Sequence, residues 1–210
     1  MARVESISEL ERLYREPTER VRSKKRDHLD AGTRAVLAAS PFVLLATSDA
    51  DGRCDVSPRG GPAGFVRVLD DRHVALPDLN GNNLLDSMHN IITNGHAALL
   101  VLIPGEHETL RIDGQAHLST DAPVLDLFAE EVRRPVVAVV VRTDAVFTHC
   151  AKAFRRSRLW EPESWPQQAA RLSLLARYRQ LSLDVSFEEY EAEMAQRIEG
   201  DLAADRPVRS

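Results

Sequence analysis

The spacing of apolar residues along the chain turns from helical to strand-like and back again. Over residues 4–37 it is helical. Leu10, Leu13 and Tyr14 share one face behind Ser6 or Ser8 as a candidate N-cap, Pro17 interrupts, and Val21, Leu29, Val36 and Leu37 carry the pattern on. From Pro41 the runs become extended. FVLLATS, the turn Asp49-Ala50-Asp51-Gly52, and CDVSPRGG are followed by GFVRVLDDRHVALPDL, with its turn at Asp70-Asp71-Arg72. HAALLVLIPGEHETLRIDGQAHLST supplies two more strands about Pro104-Gly105, and RPVVAVVVRTDAVFTH a last one too continuously apolar for an exposed edge. About six strands at this short spacing predict a closed antiparallel sheet or sandwich.

Two helices interrupt the strands. NGNNLLDSMHNIITNG puts Leu84, Leu85, Met88, Ile91 and Ile92 on one stripe with Asn82 or Asn83 as cap. DAPVLDLFAEEV has Asp121 as N-cap and Pro123 in its first turn. Beyond residue 160 the chain reads as charged helix, from Ser164 to about Gly200, with Leu172, Leu175, Tyr178 and Leu181 on one stripe and Tyr190, Met194 and Ile198 on another. The tail DRPVRS is expected to fray. The fold class is therefore α+β, mainly β, in one domain over 1–210: helical at 4–37, barrel at about 40–150, and a C-terminal helical extension at about 161–200.

Composition narrows the function. With 27 Lys+Arg against 32 Asp+Glu the net charge is −5, the wrong sign for a dedicated nucleic-acid binder. The basic run Arg20–Arg26 reads as a solvated helix face. No apolar run spans a membrane, and the charged N-terminus lacks the centre of a secretory signal. Cys54 and Cys150 make no disulfide framework or zinc set, so the expected location is the cytoplasm.

Three segments carry candidate chemistry. Asp55-Val56-Ser57-Pro58-Arg59-Gly60-Gly61-Pro62 is unusual for a strand, since Pro gives no ladder bond and Gly packs nothing; it suits close backbone approach beside a guanidinium fork. Leu76-Pro77-Asp78-Leu79-Asn80-Gly81-Asn82-Asn83 leaves a strand and opens a helix, whose free N–H groups favour an anion. His149 to Trp160 gathers Lys152, Arg155, Arg156, Arg158, Ser157 and Trp160, suited to a phosphate beside an aromatic ring. Read blandly, the same segments are a bulge, an ordinary Asn/Gly turn and a basic connector. His149 and Cys150 are adjacent on a strand and face opposite ways, which disfavours a nucleophilic pair. No P-loop or Rossmann glycine pattern is present. The three loops together suit a flat, anionic, aromatic ligand, and the lack of a base–nucleophile–acid constellation favours a cofactor that brings its own chemistry.

The blocks SPFVLLATSDADGRCDVSPRGGPAGFVRVLDD, VALPDLNGNNLLDSMHNI, ETLRIDGQAHLS and FTHCAKAFRRSRLW resemble, in order and spacing over residues 35–162, the pyridoxamine 5′-phosphate oxidase-like FMN-binding split-barrel family. The resemblance is to a branch with DVSPRG, GNN and HCxKxxxRSxLW blocks rather than to the vitamin oxidase itself. It implies a six-stranded split barrel, an obligate homodimer and FMN at the subunit interface. Val56, Ser57, Pro58, Arg59 and Gly60 would line the ring and reach the phosphate, and Leu76 and Pro77 would contact the ring. Asn82 and Asn83 fall near the family's phosphate-binding Arg-Lys pair, and Thr109 falls where the vitamin oxidase has a flavin-contacting Gln. Lys152, Arg156, Ser157 and Trp160 would reach the flavin held mainly by the other chain. Asn-Asn in place of Arg-Lys removes two charge-assisted bonds, each about 1.5–3 kcal/mol, and the vitamin oxidase's pyridoxal-phosphate cluster has no counterpart. The resemblance thus implies an FMN-dependent oxidoreductase acting on a small molecule, with no nucleic-acid or membrane partner. Deazaflavin, haem held by His149, and a non-catalytic flavin-binding or interaction module are the alternatives.

Overall fold

The computed structural model describes residues 2–166, 169–181 and 183–208. Seven strands form one antiparallel sheet: β1 (Phe42–Ser48), β2 (Cys54–Gly60), β3 (Arg67–Val68), β4 (His73–Pro77), β5 (His96–Leu102), β6 (Thr109–Ser119) and β7 (Ala138–His149), in the order β2-β1-β5-β6-β7-β4-β3. The α+β class holds, but more residues lie in helices than in strands, so the expected mainly-β balance does not, and neither does the six-stranded closed barrel. The pairings among the described residues end at β2 on one edge and at β3 on the other. Pro58 has no N–H to offer along the second edge of β2, and β3 is two residues long, so a ladder that closed the sheet has little to build on. Across that gap β2 faces β4 through side chains instead.

The apolar run of β7 lies where the sequence places it, between β6 and β4, with Val139, Val140 and Val141 buried. Along β6 and β7 the register shifts at Asp113/Gly114, and a Cβ on Gly114 would sit 1.9 Å from the Arg142 carbonyl oxygen. The main core joins Val43, Leu45, Leu99, Val101, Leu110 and Ile112 to Leu37, Met88 and Ile91 from flanking helices. A smaller cluster packs Phe128 and Val132 against Ala75 and Val140.

The expected N-terminal helix breaks into α1 (Ile7–Leu13), α2 (Glu19–Arg22) and α3 (Ala31–Ala39). Ser6 caps the first, and Asp30 caps the third through the Thr33 N–H. Between α2 and α3 the backbone of Arg26 exchanges both hydrogen bonds with Val146 of β7, which extended backbone allows and helix does not. The helix after β4 also starts later than its apolar stripe suggests. In α4 (Asp86–Asn94), Leu85 is the left-handed cap residue, neither Asn82 nor Asn83 caps the helix, and Leu84 and Leu85 are exposed. α5 (Ala122–Asp126) begins after Asp121 as expected but is short, and the turn beyond it buries Phe128.

The C-terminal extension divides into a 3-10 turn, α6 (Lys152–Ser157) lying before it, then α7 (Ala169–Leu181) and α8 (Phe187–Ala204). Ser186 and Glu189 form a reciprocal capping box at the start of α8. Arg171 makes two bonds to Glu191, and Tyr178 packs on Phe187 and Tyr190, which joins the two helices. The expected helix from Ser164 also runs over residues 167, 168 and 182, and the expected frayed tail over 209 and 210, which lie outside the described residues. At the end of α8, Asp205 accepts from the Arg133 N–H through its carbonyl and from the Asn80 N–H through its carboxylate. That contact pins the loop between β4 and α4.

Candidate functional site

Strand alternation sends successive β2 side chains to opposite sides. Asp55, Ser57 and Arg59 point toward the gap, half-buried, while Cys54, Val56, Pro58 and Gly60 are exposed. The first set faces α4 and the β4–α4 loop and forms a seam. Its lining includes Asp55, Ser57, Arg59, Asp78, Asn82, Asn83 and the first turn of α4, in a cavity of about 230 Å³. A contiguous cavity of about 350 Å³ adds Pro58, Gly60 and Pro77.

A chain of polar contacts crosses the seam. The Ser87 hydroxyl donates to Asp55 at 2.8 Å, so at 3.0 Å it accepts from the Ser57 hydroxyl. Arg59 donates through Nε to Ser57 at 3.3 Å and through Nη1 to Asp78 at 3.2 Å. Burial pushes the Asp78 carboxyl above the usual carboxylate range, Arg59 pulls it back in part, and the nearby Asp205 charge raises it again. Asn83 and Leu85 are both left-handed, an uncommon conformation for leucine, so the loop into α4 is a shaped turn rather than a helix extension.

A second hollow lies on the other side of β2, on the outer face of β1, β5 and β6. Leu44, Ala46, Val56, Ala98 and Leu100 make an apolar floor, and Thr109, Arg111, His149, Lys152, Phe154 and Arg156 complete a groove of about 560 Å³. Lys24 and Lys25 lie 5.2 and 5.1 Å from the Phe147 ring, and Lys24 also donates to the Thr148 carbonyl. Partial burial, then Lys24 and Arg111, hold the His149 imidazole below its usual range and so favour its neutral form. This groove is cationic over an apolar floor, as a planar anion requires.

Of the residues singled out from sequence, Ser57, Pro58, Arg59, Gly60, Pro77, Asn82 and Asn83 line the seam. Val56, Thr109, Lys152 and Arg156 line the groove. Leu76 lines neither; it is a core residue, 1% exposed. Ser157 donates to the Phe154 carbonyl, and Trp160 donates to the Glu106 carbonyl at 2.6 Å while stacking on Phe154. Both pin the C-terminal block rather than line a cavity. Sequence reasoning missed Asp55, Asp78 and Ser87 as seam residues and Arg111 as a groove residue. The period of two in Asp55/Ser57/Arg59 was the available signal for the first; Ser87 had none.

The chain is thus an α+β protein with an open antiparallel sheet, helical flanks, a polar seam and a cationic apolar groove. Residues 29–150 match the pyridoxamine 5′-phosphate oxidase family, and the chain belongs to it. No curated protein gives a significant match. Among solved structures, HupZ of Group A Streptococcus aligns at 15% identity over 57% of this chain and 92% of its own, with a TM-score of 0.48. A pyridoxamine 5′-phosphate oxidase candidate from Lactobacillus delbrueckii aligns at 24% identity over 59% and 98%, with a TM-score of 0.47. An FAD-binding protein from Mycobacterium smegmatis aligns at 16% identity over 59% and 97%, with a TM-score of 0.40.

The residues present match the two parts of FMN unequally. A flat ring would meet the edge of β2, Pro77 and the Arg59 fork. A phosphate would meet Asp55, Asp78 and Asp86 with one cation, Arg59, whose Nη1 is already committed to Asp78. Around Asn82 and Asn83 the seam does not fit a phosphate group.

Proposed function

We propose that this chain is a flavin-binding oxidoreductase acting on a small molecule, built as a homodimer whose cofactor sites each combine the seam of one protomer with the groove of its partner. The observation that carries this reading is the alternation along β2. Ser57 and Arg59 belong to one cavity and Val56 to the other, so the residues that resemble flavin contacts form two half-sites on opposite sides of one strand. Two copies supply complementary halves without moving either. The apolar floor of the groove, with Val56 at 59% exposure, is surface that a second chain would cover.

A bound flavin supplies the electron-transfer chemistry. The chain's own part is to orient the ring: Arg59 and the free edge of β2 offer donors, Pro77 offers a rigid wall, and Lys152 and Arg156 lower the cost of negative charge on the ligand. No residue of either half-site has the geometry of a general acid–base pair, and none is assigned that role. FMN is the reference ligand, with deazaflavin as the related alternative.

The test is the visible spectrum and melting temperature of the purified protein with added FMN or riboflavin, alongside its mass in solution. A flavin band or an upward melting shift, in a dimer, supports the reading; ligand at a hundred times its Kd adds about 2.7 kcal/mol. A colourless protein indifferent to both flavins overturns it. His149 favours one second reading, haem, because a neutral imidazole over an apolar floor beside Lys152 and Arg156 suits an axial ligand near two carboxylates. A Soret band on adding haemin, lost in His149→Ala, would select it.

A further inference from the structure

We propose that the seam selects its flavin by the tail, taking the phosphate-free riboflavin form in preference to FMN. This rests on the flavin reading and adds a specificity to it.

The inference follows from where the charges stand. The end of the seam at α4 is lined by Asp55, Asp78 and Asp86, with Arg59 as the one cationic side chain among its lining residues. Arg59 is not free to receive an anion: Nη1 serves Asp78 and Nε serves Ser57. Its side chain is 24% exposed and that of Asp78 25%, so the pair is partly shielded from water and its geometry is held. A helix N-terminus ordinarily favours a phosphate, but here Asp86 already puts a negative charge in the first turn of α4. Asp205, bonded to the Asn80 N–H, adds another carboxylate behind the loop, close enough to act on Asp78.

What the seam does offer is neutral and polar. The side-chain amides of Asn82 and Asn83 would pair with the hydroxyls of a ribityl chain without needing charge on it, while the Ser57 and Ser87 hydrogens are already held in the polar chain across the seam. A phosphate, carrying about −1.5 to −2 at neutral pH, would enter against the carboxylates of a seam whose own single cation, Arg59, is already paired. Lys152 and Arg156 of the C-terminal block lie in the groove, on the other side of β2.

Titration of the intact protein with riboflavin and FMN at low ionic strength, followed by flavin fluorescence quenching, tests this. Riboflavin is expected to bind at least tenfold more tightly. FMN affinity should rise as salt is added, because screening relieves like-charge repulsion. Asn82→Lys, on an exposed loop, should raise FMN affinity relative to riboflavin at least tenfold; Asp86→Asn should move the ratio the same way by a smaller factor. FMN binding as tightly as riboflavin or more so, and weakening with salt, overturns the proposal while leaving the flavin reading intact. That result would mean the partner's groove neutralises the phosphate, and a Lys152→Ala/Arg156→Ala protein would then lose more affinity for FMN than for riboflavin. Binding of neither flavin overturns the proposal and the flavin reading together.

Discussion

The seam and the groove lie on opposite sides of one strand and differ in nearly every physical respect. The seam is polar, narrow and rich in carboxylates, and its one arginine is tied into a relay from Asp55 through Ser87, Ser57 and Arg59 to Asp78. The groove is larger, floored by small apolar side chains and ringed by Arg111, Lys152 and Arg156. A sequence reader sees cationic and amide-rich loops and adds them into one site. The fold sorts them by strand parity, and the sums of charge come out with opposite signs. The groove offers an apolar floor and cations, while the seam offers polar side chains and the edge of β2, and a flavin uses both kinds of surface, which is the physical case for a composite site.

The most drastic way to break the comparison is Gly114→Ala. The new Cβ would fall 1.9 Å from the Arg142 carbonyl oxygen and 2.8 Å from its carbon, both backbone atoms that cannot swing aside. The expected loss is about 3 kcal/mol, read as a lower urea midpoint, with the damage centred on β6 and β7, which carry the groove. An unchanged midpoint would mean that this β6–β7 register is wrong.

Next in size is a pairing experiment. Arg59→Ala alters the seam and Arg156→Ala the groove, and each homodimer should bind flavin at least tenfold more weakly, about 1.4 kcal/mol. A mixed dimer of the two variants would carry one site with both residues intact and one with neither. Recovery of one tight site per mixed dimer is expected from calorimetric titration. Failure of mixing to restore any tight site would sink the composite arrangement.

The smallest effects are titrations of opposite sign. Burial raises the Asp78 carboxyl, so its contribution to stability is fully present below the unfolded value of 3.8 and is lost as pH rises through the higher native value. His149 is held below 6.5, so its contribution is fully present above 6.5 and is lost as pH falls through the lower native value. Asp78→Asn should remove the first slope from a plot of stability against pH and leave the second; His149→Gln should do the reverse. Matching slopes in both variants would mean that neither group titrates as its surroundings require.

Much of the fold was legible in the chain. The turns at Asp49–Gly52, Asp70–Arg72 and Pro104-Gly105 are dictated by residues that favour them, and Gly52 and Gly105 do take positive φ. The central place of β7 follows from a valine run that only burial on both faces tolerates. The start of α4 was less legible, because Leu84 and Leu85 fit its helical stripe while the left-handed turns at Asn83 and Leu85 end that stripe early. Period alone cannot show a backbone reversal set by the loop's packing.

The sequence by itself determined the strand segments, the family resemblance and a minority of the residues lining the two cavities, since periodicity and turn chemistry are local properties of the chain. Only the tertiary structure decided that the sheet stays open at its β2 and β3 edges, that Arg59 is held by Asp78, and that Val56 and Ser57 line different cavities. Leu76, expected at the ligand, went to the core for the same reason: its side of β4 faces Val139 and the packed interior. Which charges meet depends on contacts between residues far apart in the chain, such as Asp55 with Ser87 and Arg59 with Asp78, and the balance of charge in each cavity exists only once those contacts form.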